Sequence, residues 1–285
     1  MNQTFTRCIR TATLSLAVFV CLGVGNPNSI PVERFLERAR FDQARALPAP
    51  KVDPKSCASV KGALVNHHAL ASDLLWKLFR RLTSCRPEIK RVIILAPDHF
   101  FQGQTTITTA KVRYQWGKKQ ILVEEAAVNQ LLRAKIATSQ PAIFQKEHAV
   151  GALIPFLMET APNAKIVPIV VRSDVSRKDA ERLSEELKKL LNKDTVLIVS
   201  SDMSHYLPEK IALRKDQETL RAFDQSAAAF FWSAKDDHLD FGKGIWIALR
   251  TLGPSTFEVL DWDISSRYGG SAAYTTSYIT GMWGI

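Results

Sequence analysis

Four short, unbroken apolar runs constrain this chain more than any other feature. They are "KGALVN", "RVIILAPD", "AKIVPIVVR" and "TVLIVSSD". Each has strand length, and none shows the polar alternation of a half-exposed strand. A strand reads as a continuous apolar run when both faces of its sheet are covered, which is the usual condition of a parallel sheet. The intervening segments have helical periodicity. "ALASDLLWKLFRRLTS" sets Leu70, Leu74, Leu75, Leu78 and Phe79 at helical spacing, and "VEEAAVNQLLRAK" and "EHAVGALIPFLMETA" read as helices. "SRKDAERLSEELKKLL" is amphipathic, with Ser176 as its N-cap. "RKDQETLRAFDQSAAAFFWSA" predicts one helix, and "FGKGIWIALRTLG" another that Gly253 and Pro254 stop. The β-branched "QTTITTAKVRY" predicts an extended hairpin region, and "TFEVLDWDIS" and "AAYTTSYITGMW" predict closing strands. Strands separated by helices predict an α/β fold, a three-layer sandwich around a largely parallel central sheet.

The N-terminus has a different character. Arg7 and Arg10, with no acid nearby, precede an apolar run from about Ala12 to Val24. A basic start and a run of this length predict a signal peptide or N-terminal signal anchor over residues 1–28. The run is short for a transmembrane helix of about 20 residues. Residues 29–56 read as a linker with one short helix (Val32 to Ala46), and 57–285 as a single domain. The expected location is therefore exported or membrane-anchored, with the domain outside the cytoplasm and membrane contact only through the N-terminal segment. Cys57 and Cys85 are 28 apart and can pair in an oxidising compartment. Formal net charge is +10. The lysines and arginines are scattered among glutamates on helices, without a basic run interleaved with aromatics, so no nucleic-acid partner is expected.

The six histidines are placed unevenly. His67 and His68 follow the first strand, His99 the second, His148 starts a helix, and His205 follows the "TVLIVSSD" strand. Only His238 lies elsewhere. Carboxyl ends of parallel strands converge on one crevice, where ligands bind. Asp98 and Asp202 stand beside two of these histidines, and Glu147 beside a third. Each residue alone has an ordinary reading: a lone strand-end histidine caps a helix, Asp98 and Asp202 form turns, Glu147 favours a helix dipole. Their coincidence at one sheet edge points to a shared metal or acid–base site.

The ordered set "VNHHALAS", "LAPDHF", "KEHAVGALIPFL", "IVPIVV", "SSDMSHY", "FGKG" and "YITGMW" resembles the Memo-like family, specifically the group called AmmeMemoRadiSam system protein B. The resemblance runs from about Lys61 to Trp283. It implies a fold similar to class III extradiol, non-haem iron dioxygenases. Residue by residue, it implies His67 and His99 as metal ligands, with His68 as a neighbour able to replace His67. It sets Asp202 and His205 in the same pocket and Glu147 and His148 beside it. Two departures stand out. Asn66 occupies the proline position before His67, and Phe241 and Ile245 occupy the cysteine and proline positions of the family's "CGxgP" motif. Phenylalanine cannot ligate a metal, so a third ligand would be Asp202, His205, Glu147 or water.

Three readings follow. The first is a metal-dependent oxidoreductase with iron, or copper as second choice, on His67 and His99. Asp202, Glu147 and His205 would supply its catalytic groups, and His68, His148, Asp98 and Phe241 would line the pocket. The second is a metal-free, catalytically degenerate module that binds a peptide or small ligand, prompted by Phe241. The third is a zinc hydrolase, disfavoured because no H-E-x-x-H helix is present. A Ser–His nucleophile at Ser201 or Ser204 lacks the G-x-S-x-G elbow.

Overall fold

The computed structural model describes residues 29–48, 50, 57 and 59–284. In chain order the strands and helices begin with β1 (Ser29–Pro31), α1 (Arg38–Arg45), β2 (Gly62–Val65), α2 (Ser72–Cys85), β3 (Arg91–Pro97) and β4 (Ile107–Thr109). They continue with β5 (Arg113–Trp116), β6 (Lys119–Ile121), α3 (Glu125–Arg133), β7 (Thr138–Ser139), α4 (Pro141–Phe144), α5 (His148–Gly151) and α6 (Ile154–Thr160). The remainder is β8 (Lys165–Val171), α7 (Arg177–Leu190), β9 (Thr195–Ser200), β10 (His205–Leu207), α8 (Glu209–Asp224), α9 (Ala228–Ser233), α10 (Gly242–Leu252), β11 (Thr256–Ile264) and β12 (Thr275–Gly284).

The four apolar runs become β2, β3, β8 and β9, which lie side by side in the order β2-β9-β3-β8 with every pairing parallel. Every residue of β2 and β9 is buried, as are the last six of β3 and of β8. Burial on both faces is why these runs lack alternation. The sheet is extended antiparallel at both edges, by β12, β10 and β11 on one side and β4 on the other. Helices flank it, with α2 and α6 against each other and α10 against α7 and α9. The fold is thus a mixed α/β three-layer arrangement with a parallel centre.

Three local expectations are corrected. Residues 29–46 are not a linker. β1 pairs in parallel with β5, and Ile30, Val32, Leu36, Phe41 and Ala44 are buried. Phe41 packs against Trp116 and Phe156, so these spaced apolar residues form part of the core. "QTTITTAKVRY" does not form its own hairpin. β4 joins the large sheet, and β5 joins β1 and β6 in a separate three-stranded sheet. The helix expected from "RKDQETLRAFDQSAAAFFWSA" divides into α8 and α9 at Ser226, whose φ of 50° no α-helix accommodates.

Cys57 and Cys85 form a disulfide that ties the chain before β2 to the end of α2. The expected signal segment, 1–28, lies outside the described residues. Among the described residues no helix is long and apolar enough to cross a membrane.

Candidate metal centre

The carboxyl ends of β2, β3 and β9 bring His67, His99 and Asp202 to one place. Asn66 shapes the first of these turns. It is fully buried, and its amide donates to the carbonyls of His68 (3.3 Å) and Ala71 (3.4 Å). Asp202 clamps the same turn, because Oδ1 accepts the backbone N–H of His67 at 2.9 Å and of His68 at 3.3 Å. His148 and Glu147 come from the start of α5, and Asp240 from just before α10.

One donor atom from each of His67, His99 and His148 lies within 4.8 Å of the others, and the same holds for His67, Asp202 and Asp240. The rings of His99 and His148 stack with centroids 4.3 Å apart, and His67 meets both edge-on. Asp240 Oδ2 lies 3.1 Å from His67 Nε2 and 3.3 Å from His99 Nε2. Its other oxygen accepts the Ser201 hydroxyl at 2.8 Å.

The outer faces of His67 and His99 are fixed. Ser200 donates its one hydroxyl hydrogen to the Ala149 carbonyl at 2.6 Å, so toward His67 Nδ1, 3.1 Å away, it can only accept. That puts the proton on His67 Nδ1 and turns Nε2 inward. Glu147 does the same for His99: Oε1 accepts from Nδ1 at 2.8 Å and Oε2 from the backbone N–H at 3.0 Å. Oε1 also caps α5 through Ala149 N at 2.9 Å. A histidine whose outer N–H is held by a carboxylate or another acceptor is the arrangement of metal-binding imidazoles.

Electrostatics separates the three rings. Burial opposes charge on His99, but hydrogen bonds to Asp240 and Glu147 outweigh it and raise its pKa to about 10. Burial also opposes charge on His67, and the carboxylates of Asp202 and Asp240 again win, raising it. His148 is lowered to about 4 by burial and then by the charges of His67 and His99. Asp240 is held ionised, well below the usual carboxylate range: burial works against this, and His67 and His99 prevail. Without metal, protons on His67 and His99 neutralise Asp240 from inside the cluster.

The residues singled out from sequence divide in the structure. His67, His99, His148, Asp202 and Glu147 come together. His205 stands at the margin, its Nε2 4.0 Å from Asp202 Oδ2 and its Nδ1 buried without a partner among the described residues. His68 turns away, its Nδ1 hydrogen-bonded with the buried Tyr278 hydroxyl at 2.7 Å. Asp98 is a loop organiser, accepting from the backbone of Phe100, Gln102 and Gly103. Phe241 sets its ring over Gly244, where an added Cβ would lie 2.0 Å from it. That close approach requires glycine in α10.

Sequence reasoning missed Asp240, Ser200 and Asp216. Asp240 immediately precedes Phe241, the position matched to the family cysteine, so the carboxylate was one residue from where a ligand was sought. Asp216 is fully buried in α8 and accepts from Ser204, Ser277 and Trp262, anchoring the loop between Asp202 and His205. Nothing in the helical pattern of α8 marks it.

A cleft of about 270 Å³ opens beside the cluster, with His99, His205, Asp240 and Phe241 in its wall.

Comparison with known proteins agrees with this architecture. The chain is similar to a MEMO1 family protein of Caldivirga maquilingensis (24% identical, 52% of this chain and 54% of that protein). It is also similar to one of Saccharolobus solfataricus (29%, 49% and 50%) and one of Thermotoga neapolitana (26%, 67% and 70%). The match spans about half the length of the first two. A crystal structure of an uncharacterized protein from Escherichia coli K12 shares the fold, with TM-score 0.53, 11% identity, 78% of this chain and 99% of that one covered. The family model for Memo-like proteins matches residues 40–282, nearly the entire described domain, so the chain belongs to the Memo-like family.

Proposed function

We propose that the chain is a metalloprotein whose centre holds a divalent first-row ion, iron(II) before copper or zinc, for redox chemistry on a small substrate. The observation that carries this is Asp240, whose Oδ2 faces the inner nitrogens of both His67 and His99. Imidazoles with one carboxylate and no thiolate favour non-haem iron(II) over soft ions such as copper(I). The residues fit an ion: His67 and His99 have their outer nitrogens satisfied, and His148 is neutral at physiological pH. His67, His99, His148 and Asp240 would hold it, and when bound it would supply electron transfer and oxygen activation.

The protein's own groups take the other roles. Glu147, expected as a catalytic carboxylate, has its oxygens committed to His99 and Ala149, and acts as a positioning residue. Asp202 fixes the turn that carries His67. His205 lines the cleft wall, where its imidazole can serve a bound substrate as an acid–base group. The binding-module reading rested on the loss of a ligand at Phe241, and Asp240 weakens that ground. An exported location is supported by the Cys57–Cys85 disulfide, because such bonds persist outside reducing compartments.

The test is anaerobic loading of the purified chain with iron(II), followed by metal analysis. About one ion per chain is expected, lost in His67→Ala and His99→Ala and weakened in Asp240→Asn. Negligible iron, copper and zinc uptake at neutral pH would refute the reading.

A further inference from the structure

Of the non-glycine residues described, four have positive φ: Phe101, Lys135, Tyr206 and Ser226. Two of these line the cleft beside the candidate metal centre, and both are aromatic. Phe101 (φ 51°) and Tyr206 (φ 56°) are also among the most exposed large apolar side chains, at 52% and 77%. Left-handed backbone is unfavourable for a bulky residue, and such strain persists where surrounding structure enforces it, commonly at functional sites.

The enforcement is visible on both sides. Asp98 gathers the N–H groups of Phe100, Gln102 and Gly103, which fixes the loop around Phe101. Tyr206 is the extra residue of a bulge, since His205 and Leu207 pair with the consecutive Thr276 and Thr275. A bulge re-aims a side chain, and bulges are common beside active sites. The chain thus holds two aromatic rings at the mouth of one cleft against conformational preference.

The charge of this cleft runs against that of the protein. Net charge is +10, yet the lining sets Asp98, Asp236 and Asp240 against the one charged imidazole of His99, with neither lysine nor arginine. Asp236 is exposed and its carboxylate has no partner among the described residues. The Arg172 guanidinium lies over the Phe101 ring, 4.8 Å from its centroid, with its charge met by Asp174 at 2.6 Å. Aromatic faces and carboxylates together favour an organic cation.

We propose that the cleft admits a ligand bearing an ammonium group on an apolar stem, the ammonium meeting Asp236 while Phe101 and Tyr206 hold the stem and head. This names the ligand class of the same site and rests on reading the cleft as the approach to the metal centre.

The full chain, metal-free and separately loaded with zinc(II), is titrated at pH 7 with four probes of one stem length. These are n-pentylamine, n-pentyltrimethylammonium, n-pentanol and pentanoate, followed by NMR of labelled phenylalanine and tyrosine. Both cations are expected to bind about ten-fold tighter than pentanol, with pentanoate weakest. The quaternary cation cannot coordinate a metal, so its binding reports the cleft alone. Phe101→Gly and Tyr206→Gly are each expected to weaken the cations about five-fold, the size of one exposed cation–π contact. Their melting temperatures should not fall, because glycine accepts the left-handed backbone. Asp236→Asn should narrow the preference over pentanol about three-fold. Pentanoate binding as tightly as pentylamine, pentylamine binding without the quaternary cation, or glycine variants with unchanged affinity would each overturn the proposal. Failure of the metal reading shows separately, as absent zinc uptake with the cation preference intact in the metal-free chain.

Discussion

Replacing Asp240 by asparagine tests the centre most directly, because the amide keeps the shape and a partner for Ser201 while removing the charge. In the metal-free protein Asp240 Oδ2 is 3.3 Å from His99 Nε2 and 3.1 Å from His67 Nε2. His99 titrates at about 10, held there against burial by Asp240 and Glu147. A carboxylate at this range shifts a neighbour by roughly 1–3 units, or about 1.4–4 kcal/mol. Asp240→Asn should therefore bring the His99 midpoint down to roughly 7–9. Stability follows by linkage. A raised histidine pKa means the folded state keeps a proton that the unfolded chain, titrating near 6.5, has lost. The His99 contribution is fully present below about pH 6.5 and is lost as pH rises toward 10. Wild-type chain with chelator should thus lose a few kcal/mol between pH 6 and 10 in denaturant titrations, and the variant clearly less. Metal uptake runs the opposite way, tightening as pH rises, because the ion must displace the protons on His67 and His99. Ring NMR of histidine-labelled, metal-free protein across pH 5–11 reads the midpoint itself. A His99 midpoint that does not move in Asp240→Asn would refute the assignment of Asp240 as the inner carboxylate.

Ser200→Ala should leave the fold intact but free the His67 ring to change tautomer, lowering zinc affinity about ten-fold in a chelator competition. Glu147→Ala removes acceptors from three N–H groups around a fully buried carboxylate, and should cost about 2–4 kcal/mol in denaturant unfolding of the metal-free protein. Gly244→Ala should destabilise by about 1–3 kcal/mol through collision with the Phe241 ring, although alanine is the better helix former. The double variant Phe241→Ala with Gly244→Ala should remove that collision, and calorimetry on the two single variants and the pair gives the coupling directly.

The parallel centre of the fold was legible because burial on both faces leaves a signature in a single segment. β2, β3, β8 and β9 each carry it without reference to their neighbours. The N-terminal piece was not legible for the converse reason. β1 and α1 are short, and their burial comes from β5, α2 and α6, which lie far along the chain. The hairpin expectation failed similarly, since β-branched content marks extended backbone but not the partner strand.

The site divides along the same physical line. Histidines at strand ends are rare residues in a topologically special place, and that coincidence located His67 and His99. His148 and Glu147 were also visible, though the committed oxygens of Glu147 were not, because those bonds depend on the loop after β3. Asp240 carries no local mark: an aspartate just before a helix is an ordinary capping residue. Its place between two imidazoles is set by where α10 lands on the sheet. Motif matching led to Phe241, whose backbone is adjacent but whose ring turns onto Gly244. The role of a loop residue is thus defined by the direction of its side chain, and one residue separates a carboxylate beside two imidazoles from a ring packed on α10. The absence of a cysteine therefore said nothing about the number of donors that the fold assembles.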